Sequence, residues 1–191
     1  CQMLITHHGM IWEGIKYIKG DTYKKVSFLI KNDLALYAAH LPLDRHEEHG
    51  NNIKLADMLG LRNIGPFGFH NGKPIGFIGE TNTTLEEIKN KLTENNLRTD
   101  CFCHGNNEIK KIAIISGNGK GEVYQAVLAG ADLYLTGEKN YKYHNLAKEN
   151  NFNVICAGHY ATETLGVKAL MLLLKEKFNV EVEFIDNPVE M

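Results

Sequence analysis

Two eight-residue segments of the chain align with each other without a gap, and this internal similarity restricts the fold more than any other feature. Residues 131–138 (ADLYLTGE) align with residues 1–8 (CQMLITHH). Each segment is followed by a helical pattern and then by an apolar run that has the character of a strand. Strands that alternate with helices are typical of α/β proteins with a parallel or mixed sheet. The sequence therefore predicts a duplicated α/β unit whose two copies face each other.

Both copies of this pattern end in a histidine and an acidic residue that are four positions apart. The first apolar run leads into His40, with Asp44 four residues later, and the second leads into His159, with Glu163 four residues later. We predict that His159 ends a strand and that Glu163 begins a helix that continues to about residue 178. Each pair then lies at the rim of a sheet, where side chains can reach a shared cleft.

Local patterns predict the remaining elements. Helices are predicted at residues 21–32, 51–59, 84–94, 122–128 and 141–149, with Gly60 ending the second and a capping box beginning the third. A buried strand is predicted at residues 1–6, a hairpin within 65–80, and strands at 110–116, 131–135 and 180–185; a polar loop is predicted at 41–50 and a loop or irregular strand at 95–107. The first copy has no counterpart of residues 110–130, so about one strand and one helix are expected to precede Cys1.

The composition indicates an ordinary globular protein. Of 191 residues, 43% are hydrophobic and 23% are charged, and the net charge of −2 favours neither a strongly acidic nor a strongly basic partner. No apolar run reaches about 18 residues, so no transmembrane helix and no membrane partner are predicted. The four cysteines form no CxxC pair and no even-spaced framework, which predicts reduced thiols and a cytoplasmic location.

Histidines and carboxylates at the ends of the predicted strands form a candidate metal site. Imidazoles with shared carboxylates can hold two divalent ions about 3.5–4 Å apart, because the two oxygens of one carboxylate can bridge them. Iron, manganese, zinc, cobalt and nickel all suit this ligand set. The predicted ligands are His7, His8, Asp44, His159 and Glu163. In the structural alternative, the two acids cap helices and the histidines are buried or solvated without a metal.

Two further residues occupy equivalent positions in the duplication. His40 repeats the position of His159, and Glu138 repeats the position of His8. We interpret His40 and Glu138 as groups that transfer protons or that orient a ligand or substrate.

Two glycine- or cysteine-containing motifs carry weaker predictions. Residues 117–121 (GNGKG) lie between a strand and a helix, where backbone N–H groups can bind phosphate, but they match no phosphate-binding pattern and favour a tight turn. Residues 101–104 (CFCH) lack a second cysteine pair that could complete a tetrahedral zinc site. We predict a loop with free thiols at this position.

The stretch 139–148 combines lysines with tyrosines, a composition that suits phosphate neutralisation and base stacking. Lys139 and Lys142 would be the residues that contact a nucleic acid. The structural alternative is a solvated helix face with tyrosines packed inward.

Four ordered motifs together identify a family. The motifs are Thr6-His7-His8-Gly9 with Trp12, Ala39-His40-Leu41-Pro42-Leu43-Asp44 followed by Gly50-Asn51-Asn52, Leu135-Thr136-Gly137-Glu138, and Gly158-His159-Tyr160-Ala161-Thr162-Glu163. With these motifs the chain resembles, from residue 1 to about residue 174, the Nif-three-like dinuclear metal-binding family, whose members are often catalogued as GTP cyclohydrolase I type 2 homologues.

The resemblance implies more than the residues alone do. It implies metal ligands at the five predicted positions, and two interleaved α/β lobes with a dimetal site between them. We assign residues 1–60 with 164–191 to the first lobe and residues 61–163 to the second. It also implies assembly into a toroidal homohexamer. Larger members carry an inserted domain, and no segment of that size fits between residues 61 and 108.

The leading functional hypothesis is a dinuclear metal-dependent hydrolase that acts on a nucleotide, for instance GTP. The alternative from a different class is a ring-shaped nucleic-acid-binding protein in which the metals are structural or regulatory. Its support is the basic stretch 139–148, and the near-neutral net charge speaks against it. A metallochaperone or regulatory scaffold without chemistry is a third hypothesis.

Overall fold

The computed structural model of the protein describes residues 1–12 and 14–188. Its contacts divide the chain into two compact units, Cys1–Leu41 and Pro42–Met191. This boundary differs from the one near residue 60 in the lobe assignment that accompanies the family resemblance. The assignment of the two lobes therefore stays a prediction.

The first unit consists of strand β1 (Met3–Thr6), helix α1 (Gly20–Lys31) and strand β2 (Ala35–Ala38). The two strands are parallel, with Met3 opposite Ala35 and Thr6 opposite Ala38. All three elements lie where the sequence places them. The expectation that the first strand is buried is wrong, because the side chain of Met3 is about half exposed.

Two short helices follow. Helix α2 (Leu41–Asp44) is a single turn in a segment predicted to be a loop, so that prediction is incomplete. Helix α3 (Asn51–Leu59) is confirmed. Gly60 ends it with φ of 73°, a left-handed conformation that glycine adopts without steric cost.

The second unit is built on a mixed six-stranded sheet. Its strand order is β3-β4-β6-β7-β8-β5, in which β6, β7 and β8 are parallel and the other neighbours are antiparallel. The predicted hairpin and the predicted strands near residues 110, 133 and 153 are confirmed. The segment 95–107, predicted to be a loop or an irregular strand, contains one regular strand. The strands are β3 (Arg62–His70), β4 (Lys73–Thr84), β5 (Asp100–Cys103), β6 (Glu108–Ile115), β7 (Leu133–Thr136) and β8 (Asn153–Cys156).

Four helices complete the second unit. They are α4 (Leu85–Glu94), α5 (Val123–Leu128), α6 (Lys142–Glu149) and α7 (His159–Phe178). The capping box is confirmed, because Glu87 N–H donates to Thr84 Oγ1 while the Glu87 carboxylate accepts from Thr84 N–H.

One helix start and one strand differ from the predictions. Helix α7 begins at His159 and not at Glu163, since Gly158 already accepts the N–H of Thr162 in the first turn. Residues 180–185 are not a strand, because they have no sheet partner among the described residues, and Val180 and Ile185 are exposed. None of the helices in the described part of the chain combines the length and apolar character that a bilayer span requires.

The sheet is buried on both faces, and strand β7 shows how. Leu133 and Leu135 point to one face and join the main apolar cluster, which includes residues of α3 and α4. Tyr134 points to the other face, against the rings of Phe67 and Tyr143. The alternation follows from the two-residue period of a strand. Because both faces are covered, Leu133, Tyr134 and Leu135 form an uninterrupted apolar run in the sequence.

The cysteines differ from the expected set of free thiols. Cys101 and Cys103 are joined in a disulfide on strand β5, so the prediction of free thiols there is wrong. Residues two apart on a strand point to the same face, which brings the two sulfurs together. Cys1 and Cys156 are free, and Cys156 is buried.

Candidate functional site

The polar residues of the second unit gather at one edge of its sheet. Strands β6, β7 and β8 run parallel, so their carboxyl ends meet at the same edge. Ser116, Glu138 and His159 follow these three ends directly or within three residues. Ligand sites in α/β proteins lie at this edge because the loops there carry side chains into a shared crevice.

His159 lies between two carboxylates. Its Nδ1 is 2.7 Å from Glu138 Oε1, and its Nε2 is 2.9 Å from Glu163 Oε2. His159 and Glu163 are four residues apart on α7, a spacing that places them on one face of a helix. The sequence predicted this separation of one turn, although it placed only the acidic residue on the helix.

The two carboxylates change the protonation of this histidine. Hydrogen bonding to Glu163 is the largest effect, and with the contribution of Glu138 it outweighs partial burial and raises the pKa of His159 from 6.5 to about 9. In the metal-free chain the ring is therefore an imidazolium at neutral pH, whose Nδ1–H donates to Glu138 and whose Nε2 is ion-paired with Glu163.

A third carboxylate, Asp44, is buried and held from two sides. Its Oδ1 accepts from Asn51 Nδ2 at 2.8 Å and from Ser116 Oγ at 3.1 Å. These donors orient the carboxylate plane. Asp44 and Glu163 offer carboxylate oxygens within 4.8 Å of each other. Two acids at this separation would repel each other unless a cation or a proton lies between them.

Asn51 also fixes the helix that carries Glu163. Its Oδ1 accepts the N–H of Gly166 on α7 at 2.7 Å, and its side chain is fully buried. One amide thus connects the first turn of α3, the carboxylate of Asp44 and the second turn of α7.

Asn52 separates two strands beside the site. Continuing the antiparallel register of β4 and β6 by two residues from the Phe77–Ile114 pair would place Ile75 opposite Ser116. The side chain of Asn52 occupies this position instead: its Oδ1 accepts from Ser116 N–H at 2.6 Å and its Nδ2 donates to Ile75 O at 2.7 Å. The Asn52 amide replaces the backbone hydrogen bonds that would otherwise join β4 and β6 at this position. The chain can therefore separate from β4 at Ser116, and the Ser116 hydroxyl donates to Asp44.

Two glycines allow loops to approach α7 closely. Gly117 has φ of 59°, and a Cβ there would overlap the carboxylate of Glu163. A Cβ at Gly137 would lie 2.8 Å from the Cα of His159 and 2.8 Å from Thr162 Oγ1. Any side chain at either position would displace the first turn of α7.

The glycine-rich loop 117–121 is used for packing. Gly117 N–H donates to Thr162 Oγ1 at 3.0 Å, Gly119 N–H donates to Thr136 Oγ1 at 3.2 Å, and Gly117 O accepts from the N–H groups of Gly137 and Glu138. Backbone donors that already have partners are not available to cradle a phosphate. The structure therefore agrees with the tight turn that the sequence favoured.

In the first unit, three histidines gather at the ends of β1 and β2. The ring centroid of His7 is 4.8 Å from that of His8 and 5.0 Å from that of His40, and His8 and His40 are 5.1 Å apart. Each ring offers a nitrogen within 4.8 Å of the others, which could hold a metal ion. His7 is buried and His8 is exposed. His40 thus lies as close to His7 and His8 as a ligand would, although the sequence predicts a role in orienting a ligand or transferring protons.

The two units repeat one arrangement. β1 ends at Thr6 and β7 at Thr136, so His8 and Glu138 both lie two residues beyond a strand end. Each contacts a histidine that follows the next strand: His8 contacts His40, and Glu138 contacts His159. The correspondence is shifted by one residue after the second strand, since His40 lies two residues beyond β2 and His159 three beyond β8.

The donor set of each unit fits divalent metal ions. Histidine nitrogens and carboxylate oxygens are ligands that iron, manganese, zinc, cobalt and nickel accept. A metal ion at His159 Nε2 would replace the proton shared with Glu163. Glu138 would keep the other ring N–H, and a carboxylate in that position orients a metal-binding histidine and raises its basicity.

The basic stretch of the second unit shows mixed features. Lys139 forms an ion pair with Asp100 at 3.0 Å, and Tyr143 is buried against Phe102 and Tyr134. Lys142 is exposed in the first turn of α6. The inward packing of Tyr143 matches the structural alternative for one tyrosine, and a nucleic-acid contact at Lys139 and Lys142 stays a prediction.

Sequence reasoning gave no role to the buried polar residues that hold the carboxylates. Asn51, Asn52, Ser116 and Thr162 are all buried and hydrogen-bonded at the site. One available signal was the pair of asparagines at the start of an otherwise apolar helix pattern, because buried amides are rare without a specific hydrogen-bonding role.

Comparison with known proteins agrees with this architecture. Residues 1–189 match the family model described as Duf34/NIF3 (NGG1p interacting factor 3). A protein of Pyrococcus horikoshii named GTP cyclohydrolase 1 type 2 homolog is 45% identical over 192 residues, which is 97% of this chain and 76% of that protein. A protein of Archaeoglobus fulgidus with the same name is 39% identical over 99% of this chain and 76% of its own length.

A solved structure shows the same fold. The crystal structure of TTHA1606 from Thermus thermophilus matches with a TM-score of 0.87 and 33% sequence identity, and covers 100% of this chain and 76% of that one. The predicted α/β fold class with mixed strand directions is confirmed, as is the resemblance drawn from the four motifs. The chain belongs to the Duf34/NIF3 family.

Proposed function

We propose that this protein is a dinuclear metal-dependent hydrolase that acts on a nucleotide. The observation that carries the proposal is the pair of buried carboxylates, Asp44 and Glu163, whose oxygens lie within 4.8 Å of each other, with His159 Nε2 2.9 Å from Glu163 Oε2. Burying two acids so close together is costly unless positive charge balances them. Divalent ions supply that charge.

In this proposal the two groups of ligands serve one centre of two ions. His7 and His8 come from the first unit, and Asp44, His159 and Glu163 from the second. Support comes from the repeated arrangement in the two units and from a donor set that suits bridged ions. When bound, the ions supply Lewis acidity, which polarises a substrate oxygen and makes water acidic enough to react near neutral pH.

The chain's own residues have distinct tasks. Asn51 and Ser116 orient Asp44, and Gly117 leaves room for the carboxylate of Glu163. Glu138 fixes the ring of His159 through Nδ1 and holds a proton there, from which it can be passed to a leaving group. His40, beside His7 and His8, is the candidate for proton transfer in the first unit.

The nucleotide as substrate is supported by similarity. Relatives that are 39% and 45% identical carry the name GTP cyclohydrolase 1 type 2 homolog. GTP is therefore the first substrate to test. We also propose that the protein assembles as a toroidal homohexamer, which light scattering of the metal-loaded protein would measure directly.

Metal content and GTP hydrolysis test the proposal together. The purified protein is expected to hold two divalent ions per chain by elemental analysis, and Asp44→Ala is expected to lose metal and at least about 100-fold in hydrolysis rate. Asp57→Ala is the matched control, because Asp57 is half exposed and pairs only with Lys54 among the salt bridges observed in the described residues.

Variants in the two units distinguish one shared centre from two separate ones. If the centre is shared, His8→Ala and Glu163→Ala should each lower the content of both ions. Loss of one ion in each variant, with the other retained at full occupancy, would contradict a shared centre. Full metal content without hydrolysis of any nucleotide would contradict the enzymatic assignment.

A further inference from the structure

Trp12 lies beside the histidine cluster of the first unit. Its indole is 5.6 Å from the ring of His8 and 5.1 Å from the ring of His40, measured between centroids, with interplanar angles of 71° and 80°. Two edge-on aromatic contacts hold the indole in a defined orientation. The side chain is nevertheless 54% exposed.

We propose that the indole of Trp12 is the surface on which the planar ring of a nucleotide stacks when the nucleotide binds at the histidine cluster. The inference rests on the proposed function, since it names how that site recognises its substrate. An exposed aromatic ring of fixed orientation next to metal-binding side chains is suited to this task, because every nucleobase offers a flat face to stack. Stacking also removes the exposed part of the indole from water.

A cavity next to the same cluster has room for the rest of a nucleotide. Its volume is about 480 Å³, within the range of small-molecule sites, and His8 is part of its lining. The lining also includes two lysines, Lys24 and Lys25, among mostly apolar side chains. Lys24 forms an exposed ion pair with Asp21, so Lys25 is the clearer candidate to receive phosphate oxygens.

Tyr17 provides the matched control. It belongs to the same segment between β1 and α1 and is 71% exposed, more than Trp12. Its ring contacts the ammonium of Lys19 at 5.6 Å, and its removal takes away a large exposed aromatic ring of the same segment. If exposed apolar surface alone governed binding, Tyr17→Ala and Trp12→Ala would behave alike.

Fluorescence makes the test specific, because Trp12 is the single tryptophan of the chain. The zinc-loaded full chain is titrated with GTP and, separately, with inorganic tripolyphosphate, which has the phosphates but no ring. We expect GTP to quench the emission and tripolyphosphate to bind with little change. Calorimetry measures both affinities for every variant, because Trp12→Ala has no tryptophan whose emission could report binding.

The variants should separate the ring from the phosphates. Trp12→Ala is expected to weaken GTP binding by about 10-fold or more, in line with the usual contribution of a stacked base, and to leave tripolyphosphate within about twofold. Lys25→Gln should weaken both probes. Tyr17→Ala should change neither.

Several results would overturn the inference. For Trp12→Ala, these results are an equal loss of affinity for both probes or an unchanged affinity for GTP. For the other variants, they are a loss of GTP affinity in Tyr17→Ala equal to that in Trp12→Ala, or an unchanged affinity of Lys25→Gln for both probes. If GTP binding and hydrolysis persist unchanged in Trp12→Ala, the hydrolase proposal stands and only the stacking role fails. If the zinc-loaded wild type binds neither probe, the nucleotide substrate itself is wrong.

Discussion

Replacing Asn52 by alanine tests the reasoning about how the site is opened. The Asn52 amide satisfies Ser116 N–H at 2.6 Å and Ile75 O at 2.7 Å, and it also donates to Asp44 O at 3.2 Å. All of these bonds are buried. Truncation leaves at least one buried donor and one buried acceptor without a partner, and each costs about 1–3 kcal/mol. We therefore expect Asn52→Ala to lose about 2–6 kcal/mol of unfolding free energy.

The strands have one way to avoid this loss. Ile75 and Ser116 would be opposite each other if the register continued, so β4 and β6 could close and form the missing ladder bonds. Closure would draw Ser116 away from Asp44 and weaken the orientation of that carboxylate. In that case stability would fall little, but metal content would fall.

Urea unfolding of the metal-free variant, with elemental analysis of the metal-loaded one, distinguishes these outcomes. Asn95→Ala is the control, because Asn95 also donates an amide hydrogen bond, to Lys91 O at 2.8 Å, but is exposed; a loss below about 1 kcal/mol is expected. If Asn52→Ala loses less than about 1 kcal/mol of unfolding free energy and keeps its full metal content, the Asn52 side chain does not separate the strands or support Asp44 as described.

Two further predictions concern titratable groups. In the metal-free protein, the ring of His159 should titrate near pH 9 by NMR, and Glu163→Gln should move the midpoint towards 6.5. Because the pKa of His159 is raised in the folded state, the stabilisation from its charge is fully present below about pH 6.5 and is lost as the pH rises through 9. A thermal unfolding midpoint that does not fall between these two pH values would contradict this prediction. Burial raises the pKa of Cys156 to about 12, so iodoacetamide at about pH 8 should label exposed Cys1 and leave Cys156 unlabelled until the chain unfolds, as peptide mass mapping would show.

The sequence predicts those features that depend on neighbouring residues. The capping box at Thr84 and the glycine that ends α3 are each specified within four positions, and both are found. The one-turn separation of His159 and Glu163 was predicted for the same reason. Side chains at strand ends follow from the α/β pattern, which places the carboxyl ends of parallel strands together.

The hydrogen bonds that Asn51 and Asn52 form with distant residues were not predicted. Asn52 connects residues 23 and 64 positions away, and Asn51 reaches a residue 115 positions away. No local pattern specifies such partners. The apolar run at 180–185 has strand composition, but a strand also requires an edge to pair with, and these residues have no such partner within residues 1–12 and 14–188.

Hydrogen bonds from neighbouring segments anchor the first two turns of α7, and this anchoring affects where the helix can unfold locally. Gly117 N–H donates to Thr162 Oγ1 in the first turn of α7, and Asn51 Oδ1 accepts the N–H of Gly166 in the second turn. The helix continues for about three more turns, where Leu172 and Phe178 are exposed. Fraying should therefore start at the distal end of the helix, and amide exchange there can be fast while the turn that carries the histidine and the glutamate stays closed.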